Sequence, residues 1–179
     1  MCGSLALAAC GGDDDASKAS AANGGGSPGK TSLPDLGGGS GSKGDVPGDA
    51  CAALPKDQVD ALVPGAKLTG PESANGGGIA HATCSWHNDT VTLTLSYTAG
   101  VPNAQLLMSM NGEVQDAHGD KTTIAGDDAG VWSAIPGNVQ VAVVHDDVYV
   151  TVELLVLGTG AQQHRDQLVA LAEAAVGSL

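Results

Sequence analysis

The chain of 179 residues has no Phe, two Trp and two Tyr, and it sets seven Lys plus Arg against twenty Asp plus Glu, a formal net charge of −13. Such a shortage of cations excludes a general nucleic-acid binder, which depends on Lys/Arg clusters that displace counterions from phosphates. With so few aromatic residues, Trp86 and Trp132 are the large anchors available, either for a core or for the wall of a ligand pocket. No run of eighteen apolar residues occurs, so no segment reads as a membrane-spanning helix. Catalytic signatures are missing as well. Ser85 beside Cys84 is not part of a Gly-x-Ser-x-Gly nucleophile elbow, and there is no His-Glu-x-x-His and no Cys-x-x-Cys. The five histidines, His81, His87, His118, His145 and His164, are scattered. No catalytic residue, cofactor or metal is therefore expected. The weak metal candidates are the acidic pairs Asp127-Asp128 and Asp146-Asp147, whose plainer reading is polar turns. Cys84 and His87 have ligand-like spacing, but two ligands do not make a metal site.

What the chain has in quantity is glycine, unevenly placed. Residues 1–50 hold 13 of the 27 Gly, in runs such as Gly24-Gly25-Gly26 and Gly37-Gly38-Gly39 among Ser, Asp, Lys and Pro. No periodic apolar pattern runs through residues 11–50, so that stretch lacks the burial needed to offset its backbone entropy and reads as a tether. Gly24 to Thr31 fits the frame of a phosphate-binding loop. Pro28 inside it, no strand before it and no helix before Pro34 exclude that function. Hydrophobic residues make up 42% of the chain and charged residues 15%, which leaves the remainder able to fold. Charge follows the same division: residues 51–179 carry fourteen acids against Lys56, Lys67, Lys121 and Arg165, a net of −10.

The most specific signal is Leu7-Ala8-Ala9-Cys10, followed by Gly11-Gly12 and three Asp. It resembles the bacterial lipobox, in which diacylglycerol is attached to the cysteine sulfur and a peptidase then cuts before that cysteine. Residues 1–9 contain no Lys or Arg and are short for a signal peptide, so they are expected to be a truncated signal with the true start upstream. The organisation expected is residual signal over 1–9, lipidated Cys10 plus tether over 10–48, and one domain over 49–179. A diacylated Cys10 anchors a protein stably and places it on the extracytoplasmic face of the cell membrane. With Cys2 removed and Cys10 lipidated, Cys51 and Cys84 remain as an even pair in an exported domain, where a disulfide is expected.

Periodicity predicts a helix over 51–63, with Pro55 in its first turn and Pro64-Gly65 ending it. Lys67-Leu68-Thr69 opens a strand, and Pro71 to Gly78 reads as a loop. Residues 79–86 and 91–98 alternate around Asn88-Asp89 and predict a hairpin. A helix is expected over Pro102 to Asp116, then strands at Thr122–Ala125, Val131–Ile135, Val139–Val144 and Val148–Leu157, with a turn at His145-Asp146-Asp147. Thr159 and Gln162 suggest a capping box opening a helix that runs to Gly177. The fold class expected is α+β, an antiparallel sheet of six to seven strands with helices packed on one face. The sequon Asn88-Asp89-Thr90 is read as a turn.

Cys51-Ala52-Ala53-Leu54 leading to Val63-Pro64-Gly65, then Cys84-Ser85-Trp86 and Gly126-Asp127-Asp128-Ala129-Gly130-Val131-Trp132, resemble a family of actinobacterial lipoproteins known as a domain of unknown function. The resemblance covers about residues 49–179, and Ala53 departs from the larger aliphatic residue usual there. It implies a disulfide-tied α+β domain outside the cell membrane with no established activity. The function expected is a non-catalytic binding or interaction domain, monomeric, held at the membrane through Cys10. Its ligand would be an envelope protein or a small apolar molecule. A sensor or accessory domain for an envelope protein is the alternative, and an envelope enzyme the next.

Overall fold

The computed structural model describes residues 45–101, 104, 108, 119–133 and 135–179. Among the described residues seven antiparallel strands form one sheet. They are β1 (Lys67–Gly76), β2 (Ile79–His87), β3 (Val91–Ala99), β4 (Asp120–Ile124), β5 (Asp127–Trp132), β6 (Asn138–His145) and β7 (Val148–Val156). Their order across the sheet is β1-β2-β3-β7-β6-β5-β4. Two meanders, one of three strands and one of four, therefore join where β3 pairs with β7. That junction is long and regular, from Val91 opposite Val156 to Ala99 opposite Val148. Among the described residues the helices with both ends placed are α1 (Lys56–Leu62) and α2 (Arg165–Val176), each preceded by a short 3-10 turn, at Ala50–Ala53 and Ala161–His164, and Ala104 and Met108 are helical as well. Among the described residues no helix is long and apolar enough to cross a membrane.

The α+β class with an antiparallel sheet is as expected, and strand dominates. One hydrophobic cluster gathers alternate residues of the central strands, including Leu93, Leu95, Val150, Val152 and Val141, with Val59, Leu62 and Val63 around α1 and Leu168, Leu171 and Ala175 of α2. The alternation follows from the pleat, which sends successive side chains to opposite faces. Ala104, Trp132, Ala142 and Val144 are buried but stand outside that cluster. The disulfide Cys51–Cys84 joins the first 3-10 turn to the middle of β2, with Cα atoms 5.2 Å apart across 33 residues of sequence. Val46 is partly buried against the core.

Several local expectations are corrected. The helix expected over 51–63 is two pieces, because Leu54 ahead of Pro55 is extended (φ −101°, ψ 136°) and Pro55 becomes the N-cap of α1 instead of a first-turn residue. The loop expected over Pro71–Gly78 is mostly β1, which continues to Gly76 through an irregularity between Thr69 and Glu72 and a cis Gly70-Pro71 bond. All of β1 is exposed, so no apolar alternation marked it, and an edge position with a bulge accommodates Pro71. The strand expected at Val131–Ile135 is shifted to Asp127–Trp132, because the two-residue turn Ala125-Gly126, with both φ positive, brings β5 into register with β4 at once. Asp127 and Asp128 are thus strand residues. The Thr159–Gln162 capping box does not form: Gly160 caps the 3-10 turn and no side chain caps it. The helix expected over Pro102–Asp116, the signal over 1–9 and nearly all of the tether lie outside the described residues, apart from Ala104, Met108 and residues 45–48.

Candidate functional site

The residues named from sequence are not all brought together. Trp86 and Trp132 are 8% and 5% exposed, and three strands separate β2 from β5 in the sheet, about 19 Å at the usual strand spacing. Trp86 belongs to the main core, whereas the Trp132 ring lies against Gly130 and Gly119 outside it. They line no common pocket. Among the acids, Asp127 Oδ2 is 2.5 Å from His145 Nδ1, and Asp146 Oδ2 is 3.7 Å from His145 Nε2. Asp128 and Asp147 are exposed. Asp146 and Asp147, with φ of 45° and 64°, form the two-residue turn between β6 and β7. Among the described residues there is no group of three or more His, Cys, Asp or Glu able to hold a metal ion. Asn88 Oδ1 accepts from the backbone N–H groups of Thr90 and Val91, both at 2.9 Å, and its Nδ2 donates to the Pro64 carbonyl at 3.1 Å. The Asn88 amide is committed to the turn.

A different constellation is assembled by the register of β2, β3 and β7. Their core-facing residues are apolar, and the residues between them form four cross-strand rows on the opposite face. The rows are His87–Thr92–Leu155, Ser85–Thr94–Glu153, Thr83–Ser96–Thr151 and His81–Thr98–Tyr149. With rows about 6.7 Å apart and strands about 4.8 Å apart, the strip measures about 20 by 10 Å. Most of these side chains are partly exposed; Leu155 is exposed.

The hydroxyls bind one another across the strands. Thr83 Oγ1 donates to the Leu95 carbonyl at 2.9 Å and lies 3.1 Å from Ser96 Oγ. Ser85 Oγ is 3.1 Å from Thr94 Oγ1, and His81 Nδ1 is 3.1 Å from Thr98 Oγ1. A hydroxyl has one proton and two lone pairs, so each such pair keeps further hydrogen-bonding capacity toward solvent or ligand. The one carboxylate in the strip, Glu153, accepts from Asn138 Nδ2 at 2.5 Å.

A separate cavity of about 300 Å³ lies at the end of the β1–β2 hairpin, where Asn75, Ala80 and Ala99 share the core-facing column of the register. Ile79 and Gly100 continue the two columns beyond His81 and Thr98, and Asp45 and Asn75 supply the polar side chains of the wall. Gly100 has φ +75°, and a Cβ there would collide with the Gly78 carbonyl oxygen, so glycine is required where the two chain segments close the cavity floor. The volume is at the lower end for ligand sites. The clean alternation in VTLTLSYT marked the strip in the sequence, but the cavity was not legible, since Asp45 and Asn75 meet only through the packing of the domain's first residues beside the hairpin tip.

No family model, no curated protein and no solved structure matches the chain.

Proposed function

We propose that the protein is a lipid-anchored extracytoplasmic lipoprotein whose folded part is a non-catalytic binding domain, resembling the actinobacterial lipoproteins named above. The observation that carries the anchor is Leu7-Ala8-Ala9-Cys10 placed directly before a Gly-rich stretch and a domain closed by Cys51–Cys84. A disulfide in a domain of this kind suits an oxidising compartment. Binding is supported by the hydroxyl-rich strip on β2, β3 and β7, which holds one carboxylate and no Lys or Arg, and by the cavity at the end of the β1–β2 hairpin. We infer also that α1 and α2 share the opposite face, since their apolar residues fall in one cluster with the core-facing positions of the strands. Mass spectrometry of the protein isolated from its own cells tests the anchor. A mature chain beginning at Cys10 and bearing diacylglycerol is expected. A chain with residues before Cys10 retained and a free Cys10 thiol would overturn it.

A further inference from the structure

We propose that the cavity at the end of the β1–β2 hairpin binds a primary alkylammonium group, with the Asp45 carboxylate as its counterion. The inference rests on the reading of this domain as a binding module and names a ligand class for it. Its first ground is the wall of the cavity. Among the described residues that line it, Asp45 bears the one charge, Asn75 adds an amide, and Ile79, Ala80 and Ala99 are apolar. Within the described residues no hydrogen bond or ion pair engages the side chain of Asp45 or of Asn75. An ammonium group is a donor with three N–H bonds, and a carboxylate with an amide oxygen accepts from it. The alkyl stem of such a group lies well against an apolar wall, as lysine stems do on protein surfaces.

The second ground is the field around the cavity. Residues 51–179 carry a net charge of −10 with four basic side chains. Lys56 is bound to Asp60 at 2.5 Å and Arg165 to Asp120 at 3.3 Å. Lys67 opens β1, whereas the cavity lies at its other end, and Lys121 is on β4 at the opposite edge of the sheet. An approaching cation therefore meets an attractive field, and an anion is repelled. The third ground is size. A volume of about 300 Å³ suits a small ligand or a single side chain and is too small for a polymer. The shared chemistry has two sources, a free alkylamine or a lysine side chain presented by an envelope protein.

The test is an NMR titration of the full chain with pentylamine and with N-acetyl-lysine amide, read at the Asn75 side-chain amide and the backbone amides of Gly76, Gly78 and Gly100. Saturating shifts at those amides are expected with at least one of the two amines. Tighter binding of pentylamine identifies a free amine as the source, and tighter binding of the lysine amide identifies a partner's side chain. The neutral control 1-pentanol should bind at least about tenfold more weakly, the worth of one charge-assisted hydrogen bond. Asp45→Asn should weaken amine binding by about the same factor, and Asn75→Ala severalfold, with unchanged circular dichroism. Both positions are exposed, so neither substitution disturbs the core. Asp89→Asn removes an equal charge from the β2–β3 turn, about 25 Å away along β2, far beyond the screening length of about 8 Å. It should change the affinity less than about twofold. Lys43→Ala, two residues ahead of Asp45 in the sequence, should not weaken binding. No saturating shift at those amides with either amine, equal binding of 1-pentanol, or an Asp45→Asn effect no larger than that of Asp89→Asn would each overturn the proposal. A protein diacylated at Cys10 that binds neither amine refutes the site and leaves the anchor standing. An amine-binding protein with an unmodified Cys10 does the reverse.

Discussion

The Tyr97 hydroxyl, carried by the middle of the sheet, donates to the carbonyl of Ala175 at 3.0 Å. It also lies 2.9 Å from Ser178 Oγ, so the C-terminal turn of α2 is held against β3 by the one aromatic residue of that strand. Burial raises the Tyr97 pKa, and the hydrogen bond with Ser178 offsets part of the rise. The phenol is therefore kept neutral in the fold. Tyr97→Phe should cost about 1–2 kcal/mol in a denaturant titration, because the ring still fills its site while the Ala175 carbonyl keeps Ser178 Oγ as a partner at 2.6 Å. The pH dependence has a definite sign. A folded-state pKa above the unfolded value means that the Tyr97 contribution is intact below about pH 10 and is lost as pH rises through the folded value. Wild type should lose stability above about pH 10 more steeply than Tyr97→Phe; parallel curves would show that Tyr97 does not contribute.

The disulfide closes a loop of 33 residues that contains α1 and β1. Restriction of the unfolded chain over such a loop contributes about 3–4 kcal/mol. Replacing both Cys51 and Cys84 with Ala should lower stability by about that amount, and reductant should destabilise wild type without affecting the double variant. Unfolding midpoints with and without reductant measure both effects.

Gly130 lies beneath the Trp132 ring, and a Cβ added to it would sit 2.7 Å from Cη2 of the indole. Both residues are buried, so the ring has little room to withdraw. Gly130→Ala should cost about 1–3 kcal/mol and shift the Trp132 fluorescence, which Trp86→Tyr would isolate from the second indole. An unchanged midpoint would show that the ring moves freely.

Ala125 occupies the left-handed region at φ 52° in the β4–β5 turn. A Cβ is disfavoured there by about 1–2 kcal/mol, and the adjoining Gly126 already meets the second requirement of the turn. Ala125→Gly is expected to raise the unfolding midpoint by the equivalent of about 0.5–1 kcal/mol. A fall would mean that the Ala125 methyl makes packing contacts outweighing its backbone strain.

Strands with one face in the core were legible because the pleat writes burial into every second residue, as in Val91–Ala99 and Val148–Val156. Cys51 with Cys84 was legible from exclusion of the other two cysteines, and the structure joins them. β1 was not legible, because an edge strand exposed along its whole length has no apolar alternation, and its pairing is decided by the backbone hydrogen bonds offered by β2. The start of β5 was missed for a related reason: Ala125-Gly126 is a weak turn signal, while the polar pair Asp127-Asp128 reads as loop until the β4 ladder takes it up.

By itself, then, the sequence determined the charge, the lipobox resemblance, the cysteine pair and the inward face of each central strand, all of which depend on residue type and local spacing. Only the tertiary structure decided which strands are neighbours. That order set Trp86 and Trp132 apart, paired Asp127 with His145, and aligned the hydroxyls of β2, β3 and β7 into one strip. The physical reason is that strand order and register come from the combined burial of the whole core, which no short window of sequence contains.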